Sequence, residues 1–285
     1  MISAYCPAHI TCFFRPVFSD DVLKKGSRGV GIRLAEGSTV HIEEIRGRTK
    51  VAIDGKPDEA RITKHVLEHM APGRRFDVSV ECSLPAGQGF GMSASGAVAA
   101  ALCMSEITGK SRAEAFEAAH TAEAVCGGGL GDVAGILHES DVPIREAAGM
   151  PPFGRVIGSG ITFEKMTLIV LGQKLSTAGV LSDEVSVGKI CSAGDAAMEA
   201  FRGNATKDSL FQISDKFSSE AEIRGPEVAD TLKILERSGI RSSMCMLGNS
   251  IFTDAQEDEV RGILDHGKVF SVRSTSEPAR FIRKA

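Results

Sequence analysis

A glycine-rich segment at residues 85–96 constrains the fold of this chain more than any other feature. The alternating residues before it predict a strand, and the small apolar residues after it predict a buried helix. Three glycines alternate inside the segment, at Gly87, Gly89 and Gly91. Glycine tolerates positive φ, so successive N–H groups can point inward, and the helix N-terminus adds partial positive charge. The segment therefore predicts a phosphate site, with a tight structural turn as the alternative.

Two well-known phosphate loops do not fit this segment. A Walker A loop ending in Gly109-Lys110-Ser111 would need glycine at position 104, where Met104 stands. The dinucleotide fingerprint would need a third glycine at position 92 or 94. Ser93 and Ser95 instead place hydroxyl groups at the start of the helix, where one could reach a Mg²⁺ ion that bridges phosphates.

Two carboxylates follow the buried helix. Glu123 lies near the end of the next predicted helix, and Asp132 follows the glycine turn at 127–131. Phosphoryl transfer needs a metal to spread the phosphate charge and a carboxylate to position or deprotonate the nucleophile. One carboxylate of the pair could bind the metal ion, and the other could face the attacking hydroxyl. The alternative is a solvated glutamate at a helix end and an N-capping aspartate.

Composition excludes several classes of function. The 285-residue chain has a net charge of −4 and no long cluster of Lys and Arg, which argues against nucleic-acid binding. Its seven cysteines form no C-x-x-C pair, which argues against zinc sites and disulfide frameworks and favours a reducing cytoplasm. Residues 1–7 do not resemble a signal peptide, and the sequence contains no membrane-spanning apolar run.

The order of predicted elements indicates an α+β protein with two lobes. We place the boundary at the Pro/Gly-rich segment 150–160, giving lobes 1–160 and 161–285. Residues 39–45 and 49–53 alternate around a short basic turn, which predicts a β-hairpin. Ser111 with Glu114 predicts a capping box. The remaining predictions are strands at 76–82, 166–171, 243–252 and 268–274, and helices at 59–70, 182–200, 207–222 and 226–238.

The glycine-rich segment and the two carboxylates resemble motifs of the GHMP kinase superfamily. Its second motif, P-x-x-x-G-L-G-S-S-A, is similar to residues 85–94, with Phe90 in place of Leu and Met92 in place of the first Ser. The resemblance implies ATP and Mg²⁺ as cofactors, Ser93 and Glu123 as metal ligands, and Asp132 as a catalytic residue beside them. The implied nucleotide-binding residues are Pro85, Gly87, Gly89, Phe90, Gly91, Met92, Ser93, Ala94 and Ser95.

One subgroup of that superfamily, the archaeal pantoate kinases, resembles the chain more closely. Its motifs match residues 7–14, 26–32, 89–93 and 122–133, although Ala8 replaces a glycine. The resemblance implies phosphorylation of pantoate in coenzyme A biosynthesis. It also implies the two-lobed GHMP kinase fold, with one lobe like domain 2 of ribosomal protein S5 and a ferredoxin-like C-terminal lobe. The implied substrate-binding residues are His9, Ser27, Arg28 and Arg145, with Arg15 as a further candidate.

Several alternatives stay open at this point. The chain could phosphorylate homoserine, mevalonate or a sugar, or it could be a silent nucleotide-binding regulator on the same fold. A purely structural α+β protein with a tight glycine turn is the third alternative. The third GHMP motif is degenerate around Gly248, so its contact with ligand is open, as is the choice between a monomer and a homodimer.

Overall fold

The computed structural model describes residues 1–173, 179 and 183–283. In these ranges the helices are α1 to α8 and the strands β1 to β12, in chain order. The helices are Arg61–Met70, Met92–Thr108, Arg112–Cys126, Asp132–Leu137, Glu184–Gly203, Lys207–Glu220, Pro226–Arg237 and Glu257–Ile263. The strands are Ile2–Val17, Gly26–Glu44, Lys50–Ile53, Lys56–Pro57, Phe76–Cys82, Pro143–Ala147, Arg155–Gly158, Met166–Val170, Ser242–Met244, Ser250–Thr253, Lys268–Val272 and Arg280–Phe281.

The first sheet is built around the long antiparallel pair β1 and β2. Its order is β12-β1-β2-β5-β3-β4. Strand β6 pairs with β2 near the start of β2, and β7 pairs with β6. Helix α2 packs against β1 and β2 and is buried almost all round. Its run of alanines and Gly96 allows this, because small side chains let a helix approach a sheet closely. This packing places the N-terminus of α2 over β1.

The second sheet is fully antiparallel among the described residues. Its spatial order is β11-β8-β10-β9, so the four strands follow the sequence 4-1-3-2. Three helices, α5 to α7, connect β8 to β9, and α8 connects β10 to β11. This is the ferredoxin-like arrangement that the family resemblance implied. The predicted capping box of Ser111 and Glu114 is also confirmed, at the start of α3.

Two of the predictions made from the sequence, a hairpin and a single strand, are wrong. Strands β2 and β3 do not form a hairpin, because β5 lies between them and pairs antiparallel with β2 and parallel with β3. Alternation specifies which face of a strand is buried and leaves its partner undetermined. The single strand predicted at 243–252 is instead two antiparallel strands, β9 and β10, joined by a turn.

Contacts between the two sheets are extensive. One hydrophobic cluster includes Ile10 and Ile32 of the first sheet together with Leu168 and Phe252 of the second. Near its end the chain returns to the first sheet, where β12 pairs with β1. The division at residue 160 stays a prediction. In the described ranges, no helix combines the length and the apolar character that crossing a membrane requires.

Candidate active site

The glycine-rich loop requires glycine at its alternating positions. Gly87, Gly89 and Gly91 have φ of 76°, 77° and 64°. A Cβ on Gly91 would lie 2.4 Å from the carbonyl oxygen of His9, and a Cβ on Gly89 would lie 2.7 Å from that of Cys245. Gly91 caps α2 without a side-chain hydrogen bond, so the first-turn N–H groups stay available to an anion.

The second sheet supports this loop from one side. The hydroxyl of Ser250 donates to the carbonyl oxygen of Gln88 over 2.5 Å, and Gln88 Nε2 donates to the carbonyl oxygen of Gly172 over 3.0 Å. A Cβ on Gly248 would lie 2.1 Å from the Gln88 carbonyl oxygen. The degenerate third motif therefore packs against the glycine-rich loop, and its surviving glycine permits that close approach.

Glu123 lies directly beneath the start of α2. Its Oε1 accepts from the Ser93 hydroxyl over 2.5 Å, and its Oε2 accepts from the Gly129 N–H over 2.6 Å. The residue is only 1% exposed, which rules out the solvated helix-end glutamate that was the alternative. Burial raises the pKa of Glu123 to about 7, with a further increase from the Asp132 charge, against the lowering effect of the two hydrogen bonds.

Asp132 is held by a buried polar network. Its Oδ1 lies 2.7 Å from His9 Nδ1 and 3.4 Å from the Thr11 hydroxyl. Arg145 lies behind both, with Nη1 3.2 Å from His9 Nε2 and Nη2 3.5 Å from the Thr11 hydroxyl. Asp132 occupies the first position of α4, and Gly131 is the N-cap. Asp132 is therefore not the N-capping aspartate of the alternative interpretation.

The donors in this network determine the tautomer of His9. The Arg145 guanidinium can only donate, so His9 Nε2 accepts and Nδ1–H donates to Asp132. Burial lowers the pKa of His9 and outweighs the raising effect of the hydrogen bond and charge of Asp132; the positive charge of Arg145 lowers the pKa further, so the ring is neutral. Burial would raise the pKa of Asp132, but the His9 hydrogen bond, Arg145 and Thr11 lower it below its usual value. Asp132 is therefore a carboxylate at neutral pH.

The second oxygen of Asp132 is not bound by His9 or Thr11. Oδ2 lies beside Gly129, where a Cβ would approach it to 2.1 Å, and the Asp132 side chain is 20% exposed. The Asp132 side chain lines a small pocket between the two sheets. The pocket is lined by Thr11, Phe14, Ser27, Gly129, Leu130, Gly131, Asp132, Met246 and Leu247.

A second pocket lies on the other side of the glycine-rich loop. Gly87 and Ser93 line it, together with apolar side chains from β3 and β5 and residues at the start of α1. Among these, Ile53 and Val80 supply apolar surface. An apolar slot beside a phosphate loop can hold a nucleobase.

Not every predicted residue lies at these pockets. The Ser95 hydroxyl donates to the Cys6 carbonyl oxygen over 2.7 Å and accepts from the Ser38 N–H over 2.9 Å, inside the core. Arg28 and Arg15 both pair with Asp195 of α5, at 3.3 and 3.2 Å. The side chains of Phe90 and Ala94 are buried, so only their backbone can face a ligand, whereas Met92 is mostly buried and lines the second pocket. Pro85 precedes the loop outside regular structure.

The structure also brings in residues that the sequence analysis missed. Thr11 links Arg145 to Asp132, and Gln88 and Ser250 support the loop. Thr11 could have been found, because it lies two residues after His9 on the same strand and therefore on the same face. Ser250 has no such signal, since it comes from the other sheet.

Comparison with known proteins agrees with this geometry. Residues 60–140 match the family described as the GHMP kinases N terminal domain. The chain is 34% identical over 273 residues to the pantoate kinase of Thermococcus kodakarensis, with 91% of this chain and 89% of that protein covered. The chain belongs to the pantoate kinase family. A second member, from Methanocaldococcus jannaschii, is 26% identical over 270 residues, with 91% and 95% covered.

Solved structures support the same family. A phosphotransferase related to the CoA biosynthesis pathway superposes with a TM-score of 0.87 at 30% identity, covering 99% of this chain and 98% of its own. A mevalonate-3-kinase from Thermoplasma acidophilum superposes with a TM-score of 0.64 at 11% identity, covering 100% and 99%. The first is a relative in sequence as well, and the second shows that this pantoate kinase family member shares the GHMP fold.

Proposed function

We propose that this protein transfers the γ-phosphate of ATP to the terminal hydroxyl of (R)-pantoate, giving 4-phosphopantoate. The observation that carries the proposal is the position of Asp132, which lines a small open pocket near the glycine-rich loop and whose Oδ2 is not bound by His9 or Thr11. Membership of the pantoate kinase family supports the choice of substrate. Coenzyme A biosynthesis would be the pathway served.

Glu123 and Ser93 are the residues that we propose to hold Mg²⁺. They supply a carboxylate and a hydroxyl 2.5 Å apart at the N-terminus of α2, and hard oxygen donors suit this ion. A bound Mg²⁺ would neutralise charge on the transferred phosphoryl group. The N–H groups of the loop between Gly87 and Gly91 would bind the phosphates, and the apolar slot lined by Ile53 and Val80 would bind the base.

Asp132 is the residue that we propose to act on the pantoate hydroxyl. Oδ1 is bound by His9 and Thr11, so Oδ2 is free to accept the hydroxyl proton as the phosphoryl group is transferred. The carboxylate orients a hydroxyl lone pair toward the phosphorus, which positions the nucleophile for in-line attack. The proton moves from the substrate oxygen to Oδ2.

His9 acts through Asp132 in this proposal, although the family resemblance implied contact with the substrate. The ring is 0% exposed and both nitrogens have partners. Gly31 and Gly135 lie directly against the His9 ring, since a Cβ on either would lie within 2.5 Å of Nε2. His9 therefore orients the carboxylate and keeps it ionised.

Arg145 and Ser27 are the donors that we propose for the pantoate carboxylate. Arg145 is fully buried, and its Nε has no partner in the described structure. Ser27 lines the substrate pocket, and both residues face Gly131, where a Cβ would lie 2.2 Å from Ser27 Oγ and 2.7 Å from Arg145 Nε. A buried donor without a partner costs free energy, so a substrate carboxylate that reached it would be bound strongly.

The function is tested by measuring ADP release with ATP, Mg²⁺ and a panel of alcohols. We expect turnover with pantoate and none above background with homoserine, mevalonate or galactose. The phosphorylated product should carry the phosphate on the terminal oxygen by ³¹P–¹H NMR. A higher kcat/KM with another member of the panel would contradict pantoate as the substrate, and ATP binding without turnover would indicate a regulator.

Ser27→Ala is expected to raise the KM for pantoate by about 10-fold or more, because a hydrogen bond to a charged group contributes about 1.5–3 kcal/mol. The KM for ATP should not change, since Ser27 lies on the pantoate side of Asp132. Steady-state kinetics with each substrate varied in turn measure both constants. An unchanged KM for pantoate would remove Ser27 from the carboxylate site.

His9→Ala is expected to shift the acidic limb of the kcat–pH profile to higher pH. The His9 hydrogen bond lowers the pKa of Asp132, so its loss raises that pKa and protonates the carboxylate at a higher pH. His9→Asn, which restores a side-chain donor, should move the limb part of the way back. A lower kcat with an unmoved acidic limb would indicate a structural role only.

A further inference from the structure

A short antiparallel contact joins the two sheets beneath the substrate pocket. Thr11 of β1 pairs with Met246 in the turn between β9 and β10, and the Met246 N–H donates to the Thr11 carbonyl oxygen over 3.1 Å. The next residues along the two antiparallel segments are Cys12 and Cys245. The two cysteines therefore follow the paired residues on either side of the seam between the sheets, Cys12 at the register shift that β1 shows between Thr11 and Phe13.

The geometry of this contact suits a covalent bond between the two thiols. In regular antiparallel pairing, residues across from each other have Cα atoms about 4.5–5.5 Å apart. The irregularity of β1 at Cys12 changes the direction of the strand locally and leaves Cys12 next to the bridge. Disulfides need Cα separations of about 4.4–6.8 Å. Thr11 and Met246 both face the substrate pocket, so Cys12 and Cys245 face the opposite side, where both are completely buried.

The electrostatics of the two thiols are consistent with neighbouring positions. Burial raises the pKa of Cys12 well above its ordinary value, and the neighbouring Cys245 raises it further. Burial raises the pKa of Cys245 to about 12. Both side chains are therefore neutral thiols at neutral pH, which is consistent with the free cysteines of the reduced protein and with slow oxidation.

We propose that Cys12 and Cys245 are a redox site, which oxidants convert to a disulfide that links the two sheets under the active site. Two S–H bonds break and one S–S bond forms, and the oxidant takes up two electrons and two protons. A low-molecular-weight disulfide would be reduced to two thiols, and an azodicarboxamide such as diamide to its hydrazine. This inference does not depend on the substrate that the enzyme uses.

The proposed disulfide would join the two sheets at a point where their backbones already meet through the Thr11–Met246 bridge. Cys245 also packs on the phosphate loop, with its carbonyl oxygen 2.7 Å from the Cβ position of Gly89, so a bond formed without backbone movement leaves that loop in place. The bond would close a loop containing most of the chain, and long loops give large stabilisation in the chain-entropy description. The oxidised enzyme is therefore more stable and stays active.

The test treats the native full-length protein with diamide, removes the reagent, and blocks remaining thiols before proteolysis without reductant. We expect a peptide pair joined through Cys12 and Cys245, a mass loss of two hydrogen atoms, and an increase in Tm of about 5 °C or more that dithiothreitol reverses. ATP turnover of the oxidised protein should match that of the reduced protein.

Cys12→Ala and Cys245→Ala each remove the bond, so neither should gain Tm on oxidation. Cys103→Ala is the matched control, because Cys103 is equally buried but donates to the carbonyl oxygens of Ile2 and Val40, away from the seam; this variant should gain Tm as the native protein does. A linked peptide found only after unfolding would overturn the proposal. So would a disulfide between other cysteines, or loss of turnover in the linked form.

Discussion

Asp132→Asn is expected to lower kcat by about 10²–10⁴-fold, the usual contribution of a positioned general base. The asparagine oxygen can keep the hydrogen bonds from His9 and Thr11, because it takes the position of Oδ1. The amide nitrogen then takes the position of Oδ2, where a donor faces the substrate hydroxyl in place of an acceptor. The fold and the nucleotide site should remain intact, since the substitution changes no volume.

The measurement separates kcat from the affinity for ATP. Asp132→Asn should leave the dissociation constant for ATP within about two-fold of the native value, while single-turnover rates fall with kcat. Asp230→Asn is a matched control, because Asp230 is an exposed aspartate whose ion-pair partner among the described residues is Lys233. Equal losses in kcat and in ATP affinity would contradict the role assigned to Asp132.

Glu123→Gln is expected to abolish most activity and to make the protein more stable at pH 8. The pKa of Glu123 rises from 4.5 to about 7 on folding, which corresponds to roughly 3 kcal/mol of destabilisation at high pH. Glutamine removes that charge. Its oxygen can accept from the Gly129 N–H, and its amide nitrogen can donate to the Ser93 hydroxyl, so the hydrogen bonds survive.

The pH dependence of this effect has a definite sign. Below pH 4.5 the carboxyl is protonated in both states, so it contributes no penalty. Between 4.5 and about 7 the unfolded state is ionised and the folded state still holds the proton, so stability falls as pH rises. Above pH 7 the full penalty applies. The stability advantage of Glu123→Gln should therefore grow across that window and level off near pH 8.

Thermal unfolding of both proteins at pH 5 and pH 8 measures the effect, with an expected Tm gain of about 5–10 °C for the variant at pH 8. Adding Mg²⁺ and ATP should raise the Tm of the native protein more than that of the variant, because the ion offsets the charge of Glu123. A Tm difference that is independent of pH, with an unchanged Mg²⁺ titration, would remove Glu123 from the metal site.

Local patterns in the sequence were sufficient for the parts of the site that lie on single segments. The three alternating glycines indicated the loop because positive φ is a local requirement, and Glu123 and Asp132 are close because a short glycine turn separates them. The periodicity of helices and strands also separates neighbouring candidate residues onto different faces. Ser93 and Ser95 are about 200° apart around a helix, so only one can face Glu123. Ser27 and Arg28 likewise face opposite sides of β2.

The amino-acid sequence alone therefore determined the glycine-rich loop, the two carboxylates, the α+β class and the family resemblance, because each depends on neighbours along the chain. The tertiary structure alone decided which groups act on those residues. The insertion of β5 between β2 and β3, the burial of His9 and Arg145 behind Asp132, and the support of the loop by Ser250 all join residues far apart in sequence. Such contacts follow from packing two sheets together, and no local period specifies them.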